Sequence, residues 1–338
     1  MTRAVASTTP KEAAELFAEF GGATPSTSSL DRLPKSISTM WETDRLRFET
    51  ELREQEEVPA EAVAVAVSLD GVQVPVKDGE RQKKRTQKDK RPKGPAGFRE
   101  AGCGTVSFFD TKGDRCGTVR YARMPQFKKV TLKEQLREEV QSIVNVRKDL
   151  KLVLLADGAD DNWEFLEALP AEVGATEYYS TLDLFHVLAQ IKMAYDAYHG
   201  EGSAESKAAF EQARVSLREL DDGAQRVIRG LRYRRDRSTG PKRKTIRRVL
   251  GYMQKRCHRM KYRSLLKKNL PIGSGVVEAA CKTLASQRMK RSGMSWLYEG
   301  GQAILTLRSL IQSDRFDRGW SRIASLYKAP VQALRTAS

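Results

Sequence analysis

Three carboxylates stand out by their settings. Asp70 and Asp157 each close an apolar stretch, AVAVAVSLD (62–70) and KLVLLAD (151–157), and each is followed by glycine. Glu278 sits among valines, alanines and a cysteine in IGSGVVEAACKTL (272–284). An aspartate that ends a strand lies at the edge of a sheet, where open α/β sheets bind ligands. Taken singly, an Asp-Gly pair is also an ordinary strand-to-turn transition. Two of them on strands expected side by side repel unless a proton or a cation intervenes, and Mg²⁺ favours such oxygen donors. At about 100° per residue, Val277, Ala280, Cys281 and Leu284 form one stripe, and Glu278 falls on its flank beside Lys282 and Met289. There it reaches a cleft over the strand ends, or it pairs with Lys282 at i,i+4 on a solvated face; the residues alone leave both open. Two divalent ions sharing such carboxylates polarise a phosphodiester and activate water or a 3′-hydroxyl for in-line attack.

The charge balance points to a polyanionic partner. The 338 residues carry 60 Lys and Arg against 43 Asp and Glu, a net +17. Between Arg226 and Lys268 there are 18 basic residues against one acid, Asp236. A second run, RQKKRTQKDKRPK (81–93), holds eight against Asp89. A solvated loop that only aids solubility explains one such run. Two, one of them interleaved with Tyr233, Tyr252 and Tyr262, point to nucleic acid. A hydrophobic share of 40% supports a packed core. No run of about 18 apolar residues exists to span a membrane, and the first residues lack the apolar stretch of a signal peptide. Cys103, Cys116, Cys257 and Cys281 never form C-x-x-C, which fits reduced thiols in a cytoplasm better than a disulfide framework or a zinc site.

The elements that must position these groups follow from periodicity. Residues 1–59 read as a polar, helix-rich segment with little core of its own, a loop at 21–29 and a charged helix near 38–57. A strand at 62–76 precedes a hairpin, 103–110 and 115–122, around the turn TKGD. Then come a helix at 131–148 capped by Thr131, strands at 151–157 and 175–180, and a helix at 182–199. Helices fill 204–268 with a break at 236–242; one more starts near Val276 and another covers 297–312. The expected fold is α/β, a mixed sheet flanked by helices. Residues 60–200 and 270–325 make the sheet domain, and 201–269 make a basic all-helical insertion.

SLDGV (68–72), LLADGADDNW (154–163) and IGSGVVEAACKTLASQRMKRSGMSW (272–296) together resemble bacterial insertion-sequence transposases of the DDE class. The match is to the Kra-type group and its Mutator-like relatives, over about residues 30–320. The resemblance implies a ribonuclease-H-like fold, with Asp70, Asp157 and Glu278 as both catalytic and metal-binding residues. It implies two Mg²⁺ ions, with Mn²⁺ as a substitute, and double-stranded DNA as partner, cut at element ends and joined to a target. A homo-oligomer assembled on DNA, located at the nucleoid in a bacterial cytoplasm, goes with that. Lys282, Arg288, Lys290 and Arg291 then contact DNA backbone near the cut. Trp296 either stacks on an unpaired base or packs in the core. DLFH (183–186) resembles the C/D-x-x-H signature of such enzymes, which makes Asp183 and His186 supporting residues; a helix start capped by Asp183, with His186 packed, explains the same letters. Relatives carry a longer N-terminal region that recognises element ends, so a truncated copy or one product of a split gene is expected. Two other readings remain: an inactive DNA-binding remnant, and another ribonuclease-H-like nuclease.

Overall fold

The computed structural model describes residues 1–21, 24–77 and 97–325. The basic run at 81–93 lies outside the described residues.

Five strands form one mixed sheet in the order β3-β2-β1-β4-β5. They are β1 (Ala64–Val76), β2 (Gly97–Phe109), β3 (Arg115–Arg123), β4 (Lys151–Ala156) and β5 (Tyr178–Leu182). The first three are antiparallel neighbours, while β4 joins β1 and β5 joins β4 in parallel. Strand β1 starts with alternating Ala and Val because both of its faces are covered. Val65, Val67 and Leu69 enter the main core, while Ala64 and Ala66 pack with Phe109, Val153, Leu265 and Leu270. The strand order and the helices on both sides are consistent with a ribonuclease-H-like fold.

Asp70 does not end its strand. Strand β1 continues to Val76 because β2 stays paired with it, Asp70 lying opposite Cys103. It is β4 that stops, at Ala156. Ser68 is opposite Leu155 in the parallel ladder, so the same register carried two residues further sets Asp70 level with Asp157. The two aspartates therefore share one level although only one of them sits at a strand end.

The N-terminal segment forms α1 (Thr2–Ser7), α2 (Pro10–Glu19), α3 (Thr27–Thr43) and α4 (Arg45–Glu54). The helix expected at 38–57 is thus two, meeting at Asp44, and α3 begins inside the expected loop, where Ser26 caps it. Trp41, Phe48 and Leu52 complete a cluster with Leu307, Leu310, Phe316 and Ile323, so this segment borrows its core from the far end of the described chain.

Helix α5 (Val130–Val146) is not capped by Thr131. Its N-cap is Lys129, in a left-handed conformation, and the Thr131 N–H donates to the Gln126 side chain instead. Helix α6 (Asp160–Val173) follows β4, and α7 (Leu184–His199) follows β5. Four helices come next, α8 (Ala204–Glu219), with its charges balanced, and the basic α9 (Gly223–Asp236), α10 (Gly240–Arg256) and α11 (Tyr262–Leu266). Their apolar faces, among them Leu217, Val227, Ile246 and Met253, belong to the same cluster as the sheet residues Val65 and Leu154. That leaves their arginines and lysines on the outside.

The glutamate segment is helix α12 (Gly275–Ala280), a π-helical turn over Cys281–Ser286, and α13 (Gln287–Met289). A π turn holds one residue more than an α turn. It shifts every later side chain by about one α-helical step of 100°. Met289 consequently falls on the buried stripe with Val277, at 0% exposure, and not beside Glu278. Helix α14 (Tyr298–Gln312) has every residue from Gly301 to Leu310 buried, and a helical stretch at 316–325 follows it.

Candidate active site

Asp70 is held from both sides. Its Oδ1 accepts the Gly71 N–H at 2.7 Å, and its Oδ2 lies 3.9 Å from the Cys281 thiol. Burial pushes its carboxyl above the usual range; the Gly71 N–H opposes this and the charge of Asp157 adds to it. The Cys281 thiol is pushed up by its neighbour Cys103 and by burial, so it stays neutral beside the carboxylate.

Asp157 is organised by the turn it starts. Its Oδ1 accepts from the Ala159 N–H at 3.0 Å and from Asn162 Nδ2 at 3.4 Å. Its carbonyl accepts the Trp163 indole N–H at 2.6 Å. Asn162 is 2% exposed, and its Nδ2 also reaches the Leu69 carbonyl at 3.4 Å. Lys129 Nζ donates to Asn162 Oδ1 at 3.1 Å. An ammonium has no acceptor, so it fixes the amide with oxygen toward Lys129 and NH₂ toward Asp157. Lys129 is also paired with Glu100 at 2.7 Å. It reaches this place from consecutive left-handed residues, Lys128 and Lys129, at φ 49° and 52°. Such a conformation costs a side-chain-bearing residue about 1–2 kcal/mol.

Gly158 explains itself by close approach: a Cβ there would meet the Tyr252 ring at 2.5 Å. Arg256 lies over the same ring at 4.7 Å and donates to the Gly158 carbonyl at 2.7 Å and to Asp160 at 2.9 Å. Helix α10 is thereby clamped onto the turn that carries Asp157. Burial, with a smaller push from Asp157 and Asp183, takes the Tyr252 phenol to about 12, so it remains a neutral donor.

On the opposite side, Asp183 is the N-cap of α7 and is fully buried. Its Oδ1 accepts the His186 backbone N–H at 2.6 Å and faces His186 Nδ1 at 3.0 Å, and its Oδ2 accepts the Ser274 N–H. Burial pushes its carboxyl up, but those hydrogen bonds outweigh it and hold the group below the usual range. The bond to Asp183, with the charges of Asp183, Asp157 and Glu278, raises His186 to about 9 against the effect of burial. The imidazole is therefore protonated at neutral pH. Capping and facing the site are not alternatives here, since Asp183 does the first and His186 the second.

Glu278 accepts from Ser274 Oγ at 3.3 Å and lies 3.7 Å from His186 Nδ1. It does not pair with Lys282. Asp183, His186 and Glu278 bring one donor atom each within 4.8 Å of one another. Both Asp183 oxygens are already engaged, so this group reads as an oriented imidazolium facing Glu278 rather than three open ligands. Among the described residues, Asp157 Oδ2 and Glu278 Oε2 have no hydrogen bond, and Asp70 Oδ2 has only the weak thiol contact. An all-oxygen set with one open oxygen per carboxylate suits Mg²⁺ or Mn²⁺.

The residues expected on DNA divide. Lys282 and Lys290 are exposed. Arg291 is exposed and held by Glu12 at 2.7 Å. Arg288 is 3% exposed and so stands apart from these three, away from the open surface. Trp296 packs: its backbone bridges Pro75 and Lys77 at the end of β1, and its indole donates to the Met289 carbonyl at 3.0 Å. Lys129, Asn162, Arg256 and Ser274 escaped the sequence reading, which placed Tyr252 only among the tyrosines of the basic stretch. Asn162 lies five residues after Asp157, within helical reach, and Ser274 four before Glu278, so these two had a signal in their spacing. Lys129 had none.

The sequence matches no protein-family model and no curated protein. Among solved structures it is similar to the Drosophila P element transposase strand transfer complex, at 11% identity over 97% of this chain and 79% of that chain. The TM-score of 0.31 is too low for this likeness to decide anything about function. Among the described residues, no helix is long and apolar enough to cross a membrane.

Proposed function

We propose that the chain is a metal-dependent DNA-processing enzyme, the transposase of an insertion sequence, which cuts element ends and joins them to target DNA. The observation that carries this reading is convergence. Asp70 from mid-β1, Asp157 from the turn after β4 and Glu278 from α12 all interact electrostatically with one imidazolium, His186. The most basic helices of the chain are clamped beside it through Tyr252 and Arg256. We read residues 201–269 as the helical insertion of a ribonuclease-H-like domain formed by 60–200 and 270–325.

Asp70, Asp157 and Glu278 would hold two Mg²⁺ ions, or Mn²⁺ in their place, which when bound polarise the phosphodiester and activate the attacking oxygen. The protein's own groups prepare that site. Asn162, set by Lys129, holds Asp157 Oδ1 and leaves Oδ2 open. Ser274 and Asp183 fix Glu278 and His186 relative to each other. His186 carries positive charge into a cluster of acids, which lowers the repulsion an incoming phosphate meets. Exposed arginines and lysines on α9 and α10, such as Arg229, Arg232, Arg243 and Arg247, neutralise phosphates farther along the duplex.

The test is Mg²⁺- or Mn²⁺-dependent nicking and strand transfer on duplex DNA by the purified protein. Asp70→Ala, Asp157→Ala and Glu278→Ala should each lose it, by on the order of 10⁴-fold. Activity that survives any one of them removes that residue from the site. Salt-sensitive DNA binding without metal-dependent product leaves the remnant reading in its place.

A further inference from the structure

Outside the site, the least satisfied charge in the described residues belongs to Arg288. It is 3% exposed, yet no oxygen accepts from it. Its hydrogen bond is to Met294 Sδ at 3.7 Å, its Nε is buried without a partner, and its guanidinium lies over the Trp296 ring at 4.9 Å. A guanidinium offers five donors, and a buried cation without a partner is costly. Burial lowers Arg288 to about 10, and the neighbouring charges of Arg308 and Arg291 work in the same direction. The chain has gathered positive charge here without answering it.

Arg288 lines a cavity of about 290 Å³ between the α2–α3 region and the loop at 293–297. Lys35, Lys77, Thr9, Ser295 and Trp296 also line it. The acids nearby are already engaged. Asp31, which borders the cavity, pairs with Lys35 at 2.6 Å, and Glu12 is bound by Arg291 and the Thr9 N–H. Among the described residues Arg288 and Lys77 have no carboxylate partner, so the cavity keeps an excess of positive charge next to an aromatic wall and two hydroxyl groups.

We infer that this cavity is a nucleotide-binding site in which Arg288 and Lys77 hold a phosphate and Trp296 forms the wall against the base or sugar. Charge-assisted hydrogen bonds from a desolvated guanidinium to phosphate are strong and directional. The bound anion would complete the guanidinium that the protein leaves bare. The inference deepens the DNA reading: Trp296 bridges the far end of β1, six residues or about 20 Å from Asp70 along the strand. A nucleotide seated there is one that a strand crossing the active site supplies. A free mononucleotide has the same chemistry, and the experiment separates the two sources.

Binding of a deoxynucleoside 5′-monophosphate and of a short single-stranded oligonucleotide is measured by calorimetry, in chelator so that no divalent metal takes part. Wild type should bind both and gain thermal stability from the nucleotide. Arg288→Met should weaken binding by about 10- to 100-fold, while the free variant melts at the same temperature or higher because an unanswered buried charge is gone. A structural arginine would give the opposite shift. Lys77→Ala, at an exposed position that does not threaten the fold, should weaken binding by a smaller factor. Loss of mononucleotide binding alone, with the oligonucleotide unaffected, would mark a site for free nucleotide. Binding unchanged in both variants, or absent from wild type, overturns the proposal. Asp157→Ala should bind like wild type, so a failure of the catalytic reading leaves this result untouched.

Discussion

Arg315 and Arg288 are equally buried, each 3% exposed, and the chain treats them in opposite ways. Arg315 donates to both Glu139 oxygens, at 2.6 and 2.9 Å, to Tyr121 Oη at 2.9 Å and to Glu56. Tyr121 in turn donates to Glu139 at 2.6 Å. Arg288 has a thioether and an indole face. The acids divide the same way. Glu139 is fully buried, and burial pushes its carboxyl up, yet the Arg315 charge and hydrogen bonds hold it below the usual range. Among the described residues Asp70 has no cation in hydrogen-bond contact, and burial with the charge of Asp157 pushes it up. Where β3, α5 and the chain after α14 close on each other, the buried charges of Arg315 and Glu139 meet within the chain. At the sheet end and in the Arg288 cavity, Asp70 and Arg288 find no such partner among the described residues, and those are the two places we propose for an outside ion.

The largest effect should come from breaking the completed network. Glu139→Gln or Arg315→Met leaves a buried charge alone and should cost about 3–5 kcal/mol in chemical denaturation. A loss no greater than that of a surface substitution would erase the contrast with Arg288. Next is Lys129→Met, which removes the donor that orients Asn162. It should weaken Mn²⁺ binding by about tenfold, as loss of an outer hydrogen bond to a ligand does, with little change in melting temperature. Lys129→Arg should restore it. The protein has three asparagines, so selective ¹⁵N-asparagine labelling also reports whether the Asn162 amide loses its protection. A smaller effect, of opposite sign to Glu139→Gln, is expected of Asp70→Asn without metal: a gain within about 1 kcal/mol, because a repelled, half-buried charge disappears.

The pH dependence sharpens the same contrast. Glu139 is lowered in the fold, so its contribution is present above its ordinary 4.5 and is lost as pH falls through the lowered value. Asp70 is raised, so it disfavours the fold as pH climbs from 3.8 through its raised value. His186 is raised from 6.5 to about 9, so its contribution is full below 6.5 and fades as pH rises to about 9. Urea midpoints of the metal-free protein should fall over that alkaline window, and His186→Gln should flatten the fall. An unchanged slope in that variant would mean the imidazole is not held as described.

Much of this architecture was legible in the sequence because it rests on local pattern. Apolar runs, Asp-Gly junctions and the TKGD turn gave the strand order, and a helical projection put Glu278 on the flank of its stripe. What was illegible depended on contacts between distant segments. Strand β1 runs past Asp70 because β2 is there to pair with it, and no pattern in SLDGVQVPV announces that partner. Thr131 has the letters of a cap, but Gln126 and a left-handed Lys129 occupy the helix start. Arg288 looked like a surface cation within RMKRSGMSW. Its burial follows from the packing of the N-terminal helices over that loop.

The π turn at Cys281–Ser286 has a consequence for how this segment tolerates change in length. It carries one residue beyond what a regular helix needs, so deletion of a single residue there would restore uniform winding. The chain would stay helical and lose little hydrogen bonding. Everything after the turn would keep its phase relative to Glu278, because eleven regular steps of about 100° from Val277 end where twelve end through the π turn: Met289 would stay in the core and Arg288 at its cavity. A lost codon in this stretch would therefore do less harm than a gained one, because the π turn already absorbs one spare residue without disturbing the phase between the acid at one end and the arginine at the other.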